Sequence, residues 1–225
     1  MKLESVVPWG RSFDEYRRMF NLQDHELGYS ILGCADGPAS FNAELTRLGG
    51  KVISSDPIYQ FSCDEIAERV RAVYPAVMEE VKQHRENFIW DQFDDEEALG
   101  HCRMRSMEMF LQDYDAGVAD GRYVGASLPF LPFEPQQFRL ALCSHFLFLY
   151  SDKVDQAEHL KAVGELCRVA EEVRIYPLVD LNAEESIHLA PVMSAMENYG
   201  IAARLMPVNY QFQKNATHML VLKTE

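Results

Sequence analysis

The chain has 225 residues, 48% of them hydrophobic, which suits one domain of ordinary size with a full core. Its formal net charge of −14, from 35 acidic and 21 basic residues, argues against a nucleic-acid partner, because gripping a phosphate backbone takes a basic surface. No apolar run reaches membrane-spanning length and no signal-peptide core opens the chain, so the expectation is a cytoplasmic protein without a membrane partner, its five scattered cysteines reduced.

Residues 1–28 are expected to form an N-terminal arm and helix. Pro8-Trp9-Gly10-Arg11 ends an extended arm, and Ser12 with Glu15 three residues later has the pattern of a capping box. The helix that follows sets Phe13, Tyr16 and Phe20 on one face, either as plain core or as cover for a cleft. Tyr29–Leu32 is the first strand. Gly33-Cys34-Ala35-Asp36-Gly37 is a turn, and Pro38 suits the first turn of a helix over 39–48 that stops at Gly49-Gly50. Lys51–Ser55 is the second strand, and Asp56 stands at its tip, 23 residues after Gly33. That spacing is close to the roughly 20 residues at which an acid takes the hydroxyls of a nucleoside sugar. The alternative for Asp56 is a simple cap.

Residues 62–115 are too long for an ordinary crossover and are expected to be a helical insertion. Ile66, Val70, Val73, Val77 and Val81 make one amphipathic helix, which Pro75 should kink or split. Asp94–Glu97 suit the N-terminus of another helix, with Met104, Met107, Phe110 and Tyr114 on one side. From Tyr123 the strand–helix rhythm resumes. A strand ends over 141–144, Asp152 caps a helix through Ala170, and Val173–Leu178 is a strand. A helix over 191–199 and strands over 203–208 and 218–222 complete the chain.

Two ordered stretches carry a family resemblance. One is Gly33-Cys34-Ala35-Asp36-Gly37 with Ser55-Asp56-Pro57 after the next strand. The other is Tyr123-Val124-Gly125-Ala126-Ser127-Leu128-Pro129-Phe130, followed by Phe138 to His145. Together they resemble the class I S-adenosylmethionine-dependent methyltransferases over most of the chain except residues 60–120. The resemblance implies an α/β, Rossmann-like doubly wound, mostly parallel seven-stranded sheet. An antiparallel last strand (204–208 against 217–222) and a helical insertion after strand two, covering the site within a single domain over 1–225, complete the expected fold.

The implied cofactor is S-adenosyl-L-methionine. The backbone of Gly33, Cys34, Ala35, Asp36 and Gly37 would meet its methionine portion. Asp56, with Pro57 and Ile58, would take the ribose, and Ala126, Ser127 and Leu128 the adenine. Ser144 and His145 would stand near the methyl group, His145 as the candidate general base or as a packed histidine. Arg11 would meet the cofactor's carboxylate or a substrate anion, unless it is merely solvated. Trp9, Tyr16 and Trp90 would line the acceptor pocket, unless they only fill core. His84 and His101 lack compact ligand spacing, so no metal is expected.

The expected activity is methyl transfer to a small-molecule acceptor. Ala35 in place of the usual second glycine, and Ala126 and Arg139 where acids are usual, motivate a second reading: a catalytically silent cofactor-binding relative. A nicotinamide-dependent oxidoreductase ranks last, because Gly-x-Gly-x-x-Gly is absent. The acceptor atom and a homo-oligomeric state are left open by the sequence.

Overall fold

The computed structural model describes residues 7–224, so the first six residues of the expected arm lie outside the described residues. Helix α1 (Phe13–Met19) starts at the expected capping box: Ser12 Oγ accepts from Glu15 N, and Glu15 accepts from Ser12 N at 2.9 Å. Strand β1 (Ser30–Cys34), helix α2 (Phe41–Arg47) and strand β2 (Lys51–Ser55) follow in the expected order. Pro38 does not open α2. Ser40 N donates to the arm at Arg11 O, so residues 37–40 are spent on a turn and the helix begins at Phe41.

Helix α3 (Cys63–Gln83) and helix α4 (Glu96–Ala119) form the insertion, α4 running four residues past the expected end. Pro75 lies inside α3 without dividing it. Arg71, Ala72, Pro75 and Ala76 are all exposed, so the carbonyl that loses its partner can be hydrated while the Ile66–Val81 stripe stays packed. Asp95 caps α4 by accepting from Ala98 N at 2.8 Å. At its other end, Asp113 receives Arg122 and the Tyr123 hydroxyl, tying α4 to strand β3 (Tyr123–Val124).

Strand β4 (Phe138–Ser144) is buried at every position but Arg139, as a strand covered on both faces should be. Helix α5 (Gln156–Val169) is capped by Asp155, not Asp152. Lys153 and Val154 donate back to Tyr150 O, which holds Asp152 within a turn, whereas Asp155 has its capping-box partner in Glu158. Strand β5 (Ala170–Tyr176) starts three residues earlier than expected and stops before Pro177, which has no N–H for the ladder. Helix α6 (Leu189–Asn198), strand β6 (Ala202–Pro207) and strand β7 (His218–Lys223) close the chain.

The seven strands pair in the order β3-β2-β1-β4-β5-β7-β6. All contacts are parallel except those of β7 with β5 and β6. Leu32, Ala141, Val173 and Leu220 face a core shared with α5 and α6. Ile31, Leu140, Leu142 and Val221 face the other, shared with α1 and α2. The chain therefore leaves β1 outward in both directions, and its switch point lies between β1 and β4. In open α/β sheets, ligands bind at the carboxyl ends of the strands beside such a point.

Because Pro75 occupies an exposed position in an unbroken helix, Pro75→Ala should raise stability by about 1–3 kcal/mol in denaturant melts. A loss of stability would show that the proline carries packing of its own.

Candidate functional site

A cavity of about 340 Å³ opens at the carboxyl ends of β1 to β5. Its sheet side is made by Cys34–Gly37 after β1, Ser55–Ile58 after β2, Ala126–Leu128 after β3, Ser144–Phe146 after β4, and Tyr176 of β5. Trp9, Arg11, Tyr16, Val77, Val81 and Leu99 are among the residues that enclose it from the arm, α1 and the insertion. Gly10 lets the arm come this close: a Cβ there would lie 2.0 Å from the Pro38 carbonyl oxygen. The walls are mostly apolar, with a few converging polar groups, as small-molecule sites are.

Every residue expected at the site lines this cavity except Gly33 and Trp90. Gly33 makes room for a neighbour instead of a ligand, since a Cβ there would sit 1.8 Å from Asp36 Oδ2. The Asp36 carboxyl fills that space, taking 2.6 Å hydrogen bonds from the Tyr16 and Ser54 hydroxyls. Burial raises its pKa from 3.8 to about 6, against the pull of those two donors. Tyr16 is thereby a structural link between α1 and the turn as well as part of the wall. Trp90 sits one layer back, under the Arg85 guanidinium and edge-on to Phe88 and Phe212, and those two reach the cavity in its place.

Ala35 holds φ at +55°, a left-handed conformation that costs an alanine more than a glycine. Its N–H donates to Ser55 O at 2.8 Å and locks the turn to β2. Asp56 accepts from Gly37 N and from Ile58 N, both at 2.9 Å, so one carboxylate caps the turn after β2 and binds the turn after β1. Burial lifts its pKa to about 6. Each oxygen accepts one backbone bond and keeps acceptor capacity toward the cavity.

His145, at φ +51°, donates its N–H to Tyr176 O, and its Nδ1 lies 2.9 Å from Ser144 Oγ. Burial first, then the charges of Arg11 and Arg103, hold its pKa well below 6.5, so the ring is neutral. Arg11 donates Nη1 to Trp9 O, while its buried Nε has no partner. Burial, reinforced by Arg103, lowers its pKa to about 10.

Behind Arg11, Glu15 binds Arg103 Nη1 at 2.5 Å and the Tyr210 hydroxyl at 2.7 Å. Arg103 is 0% exposed. The guanidinium charge outweighs burial and holds Glu15 far below the usual carboxylate range.

Sequence reasoning missed Tyr210 and Phe212, which come from the β6–β7 connection, and Tyr176; no local pattern marks them. Arg103 did leave a signal. It falls on the same α4 face as Leu99, Met107 and Phe110, all buried, and a charge on an apolar stripe announces a buried partner.

The strand order, the reversed β7 and the cavity over the switch point define the class I methyltransferase fold. The chain belongs to one family with Uncharacterized protein MJ0045 of Methanocaldococcus jannaschii, to which it is 31% identical over 224 residues, 99% of this chain and 98% of the relative. No family model matches the sequence. Similar solved structures include a putative S-adenosyl-L-methionine-dependent methyltransferase from Methanococcus maripaludis, at 9% identity and a TM-score of 0.48 over 95% of this chain and 84% of that one. Another is magnesium protoporphyrin IX methyltransferase from Synechocystis PCC 6803, at 12% identity and a TM-score of 0.47 over 95% and 94%.

Two positions of the turn, Gly33 and Ala35, should respond in opposite directions. Gly33→Ala should lose about 2 kcal/mol or more by overpacking against Asp36, and Ala35→Gly should gain about 1 kcal/mol, both read from denaturant melts. The raised pKa of Asp36 fixes a pH dependence as well. The folded state binds more protons than the unfolded one between 3.8 and about 6, so stability is full below that window and falls as pH rises through it. The stability of wild type relative to Asp36→Asn should therefore drop by up to about 3 kcal/mol between pH 4 and pH 7.

Proposed function

We propose that this protein is an S-adenosylmethionine-dependent methyltransferase that acts on a small-molecule acceptor. The observation that carries the reading is Asp56. It stands on the rim of a cavity at the β1/β4 switch point, fixed by Gly37 N and Ile58 N, with acceptor capacity left for two ribose hydroxyls. The fit extends to the rest of the wall: backbone of Cys34–Gly37 for the methionine portion, and Pro57, Ile58 and Ala126–Leu128 for the ribose and adenine.

The bound cofactor would supply a methyl group already activated on a sulfonium. The chain's own part is to orient the acceptor and exclude water. The helical insertion serves as a cap here, since Val77, Val81 and Leu99 line the cavity. His145, its Nδ1 beside Ser144 Oγ, is placed to take a proton if the acceptor must lose one, but burial and the two guanidiniums make it a weak base. Among the described residues, no helix is long and apolar enough to cross a membrane.

Calorimetric titration with S-adenosylhomocysteine tests the reading. Wild type should bind saturably and Asp56→Ala, verified as folded by its melt, should bind about tenfold or more weakly. Absence of binding to the folded wild type would end the methyltransferase reading. Binding without transfer to any acceptor would favour the silent relative, for which the Ala35 methyl in the turn is the motivating feature.

A further inference from the structure

Arg11 lines the cavity yet has no anionic partner there. Among the described residues no carboxylate lies within ion-pair distance of its guanidinium, Nη1 is spent on Trp9 O, and the buried Nε meets nothing. The one carboxylate that acts on it, Glu15, is committed to Ser12, Arg103 and Tyr210. Arg103 is buried completely and leaves Nε and Nη2 without partners. Among the described residues two guanidiniums thus face one carboxylate, which leaves one positive charge of the cluster uncompensated away from water. The remaining polar neighbours, Tyr16, Tyr210, Cys102 and His145, bring no negative charge: burial raises the pKa of the first three, and His145 is neutral. Buried groups left unpaired in this way are expensive and call for a partner.

The cluster's place narrows the partner. The charge of Arg11 acts on Tyr16 of α1, on His145 and Tyr150 after β4, on Tyr176 of β5 and on Tyr210 of the β6–β7 connection. The shifts of Asp36 and Asp56, on the β1 and β2 side, trace to burial, their own hydrogen bonds and each other. The positive charge is therefore felt at His145 and not at the proposed ribose acid, although both line the same cavity. Beside it the cavity is walled by Phe88, Tyr176, Tyr210 and Phe212, surfaces that suit an apolar or aromatic body.

We propose that Arg11, with the Glu15–Arg103 pair behind it, forms an anion subsite that takes a carboxylate on the methyl acceptor, so that the acceptor is a small apolar or aromatic acid. The proposal rests on the methyltransferase reading. Arg11 makes the contact, its planar fork matching a carboxylate. Arg103 does not line the cavity and acts as a positioning residue, holding Glu15 and adding to the local field. The cofactor's own aminoacyl carboxylate offers the same chemistry, and the test separates the two sources.

Benzoate and its neutral isostere benzamide are titrated into the whole chain by calorimetry, with and without saturating S-adenosylhomocysteine, for wild type, Arg11→Met and Arg11→Lys. With S-adenosylhomocysteine bound, wild type should prefer benzoate by about tenfold or more. Arg11→Met should lose that preference while its affinity for S-adenosylhomocysteine stays within about threefold of wild type, and Arg11→Lys should restore it in part. Equal binding of the two probes, no saturable benzoate binding, or a preference that survives Arg11→Met overturns the subsite. Benzoate displaced by S-adenosylhomocysteine, with Arg11→Met weakening both, overturns the assignment to the acceptor and gives the anion to the cofactor. Failure of S-adenosylhomocysteine to bind, with the benzoate preference intact, defeats the methyltransferase reading and leaves the anion subsite standing.

Discussion

The Asp36 carboxyl, seated where Gly33 has no side chain, is the constraint on which the site depends. It receives one hydroxyl from Tyr16 of α1 and one from Ser54 of β2, so a single buried acid joins the N-terminal helix, the turn after β1 and the neighbouring strand. Such a group is costly to bury without partners and is tolerated because both donors are present. With α1 pinned, the arm before it lies against the turn, Gly10 touching Pro38 and Arg11 O taking Ser40 N. The cavity exists because these contacts hold the arm over the carboxyl ends of the strands.

Two different electrostatic settings meet in that cavity. On the β1 and β2 side, Asp36 and Asp56 are buried acids satisfied by hydroxyls and backbone N–H groups, and burial pushes both toward pKa 6. On the β4 and β5 side, Arg11 and Arg103 behind it outnumber Glu15, and burial together with their field keeps His145 neutral. A nucleoside that brings its hydroxyls to one side and an acidic acceptor that brings negative charge to the other would together satisfy both. The chain as a whole carries a formal net charge of −14, so the positive end is local and enclosed, where low dielectric makes it most effective.

Much of this was legible in the sequence because it is local. The Ser12–Glu15 capping box, the apolar stripe of α3, the strands on either side of the Gly33–Gly37 turn and the acid at the tip of β2 are all set by neighbours within a few residues. Boundaries failed where a distant contact decided them, as when the arm's Arg11 carbonyl took the N–H of Ser40 and delayed α2. The resemblance sets the backbone of Gly33 against the cofactor, but the space beside it belongs to a side chain three residues on. Trp90 had the right composition for a pocket wall, yet Phe88 and Phe212 stand in front of it. Tyr210 reaches Glu15 across 195 residues of sequence, and nothing short-range could announce that pairing.

The most direct test of the central claim is a crystal structure of the protein grown with S-adenosylhomocysteine. The account predicts that the ligand fills the cavity, with its ribose hydroxyls within hydrogen-bond distance of Asp56 and its adenine against Ala126–Leu128. A ribose held away from Asp56, or a nucleoside bound outside this cavity, would contradict it.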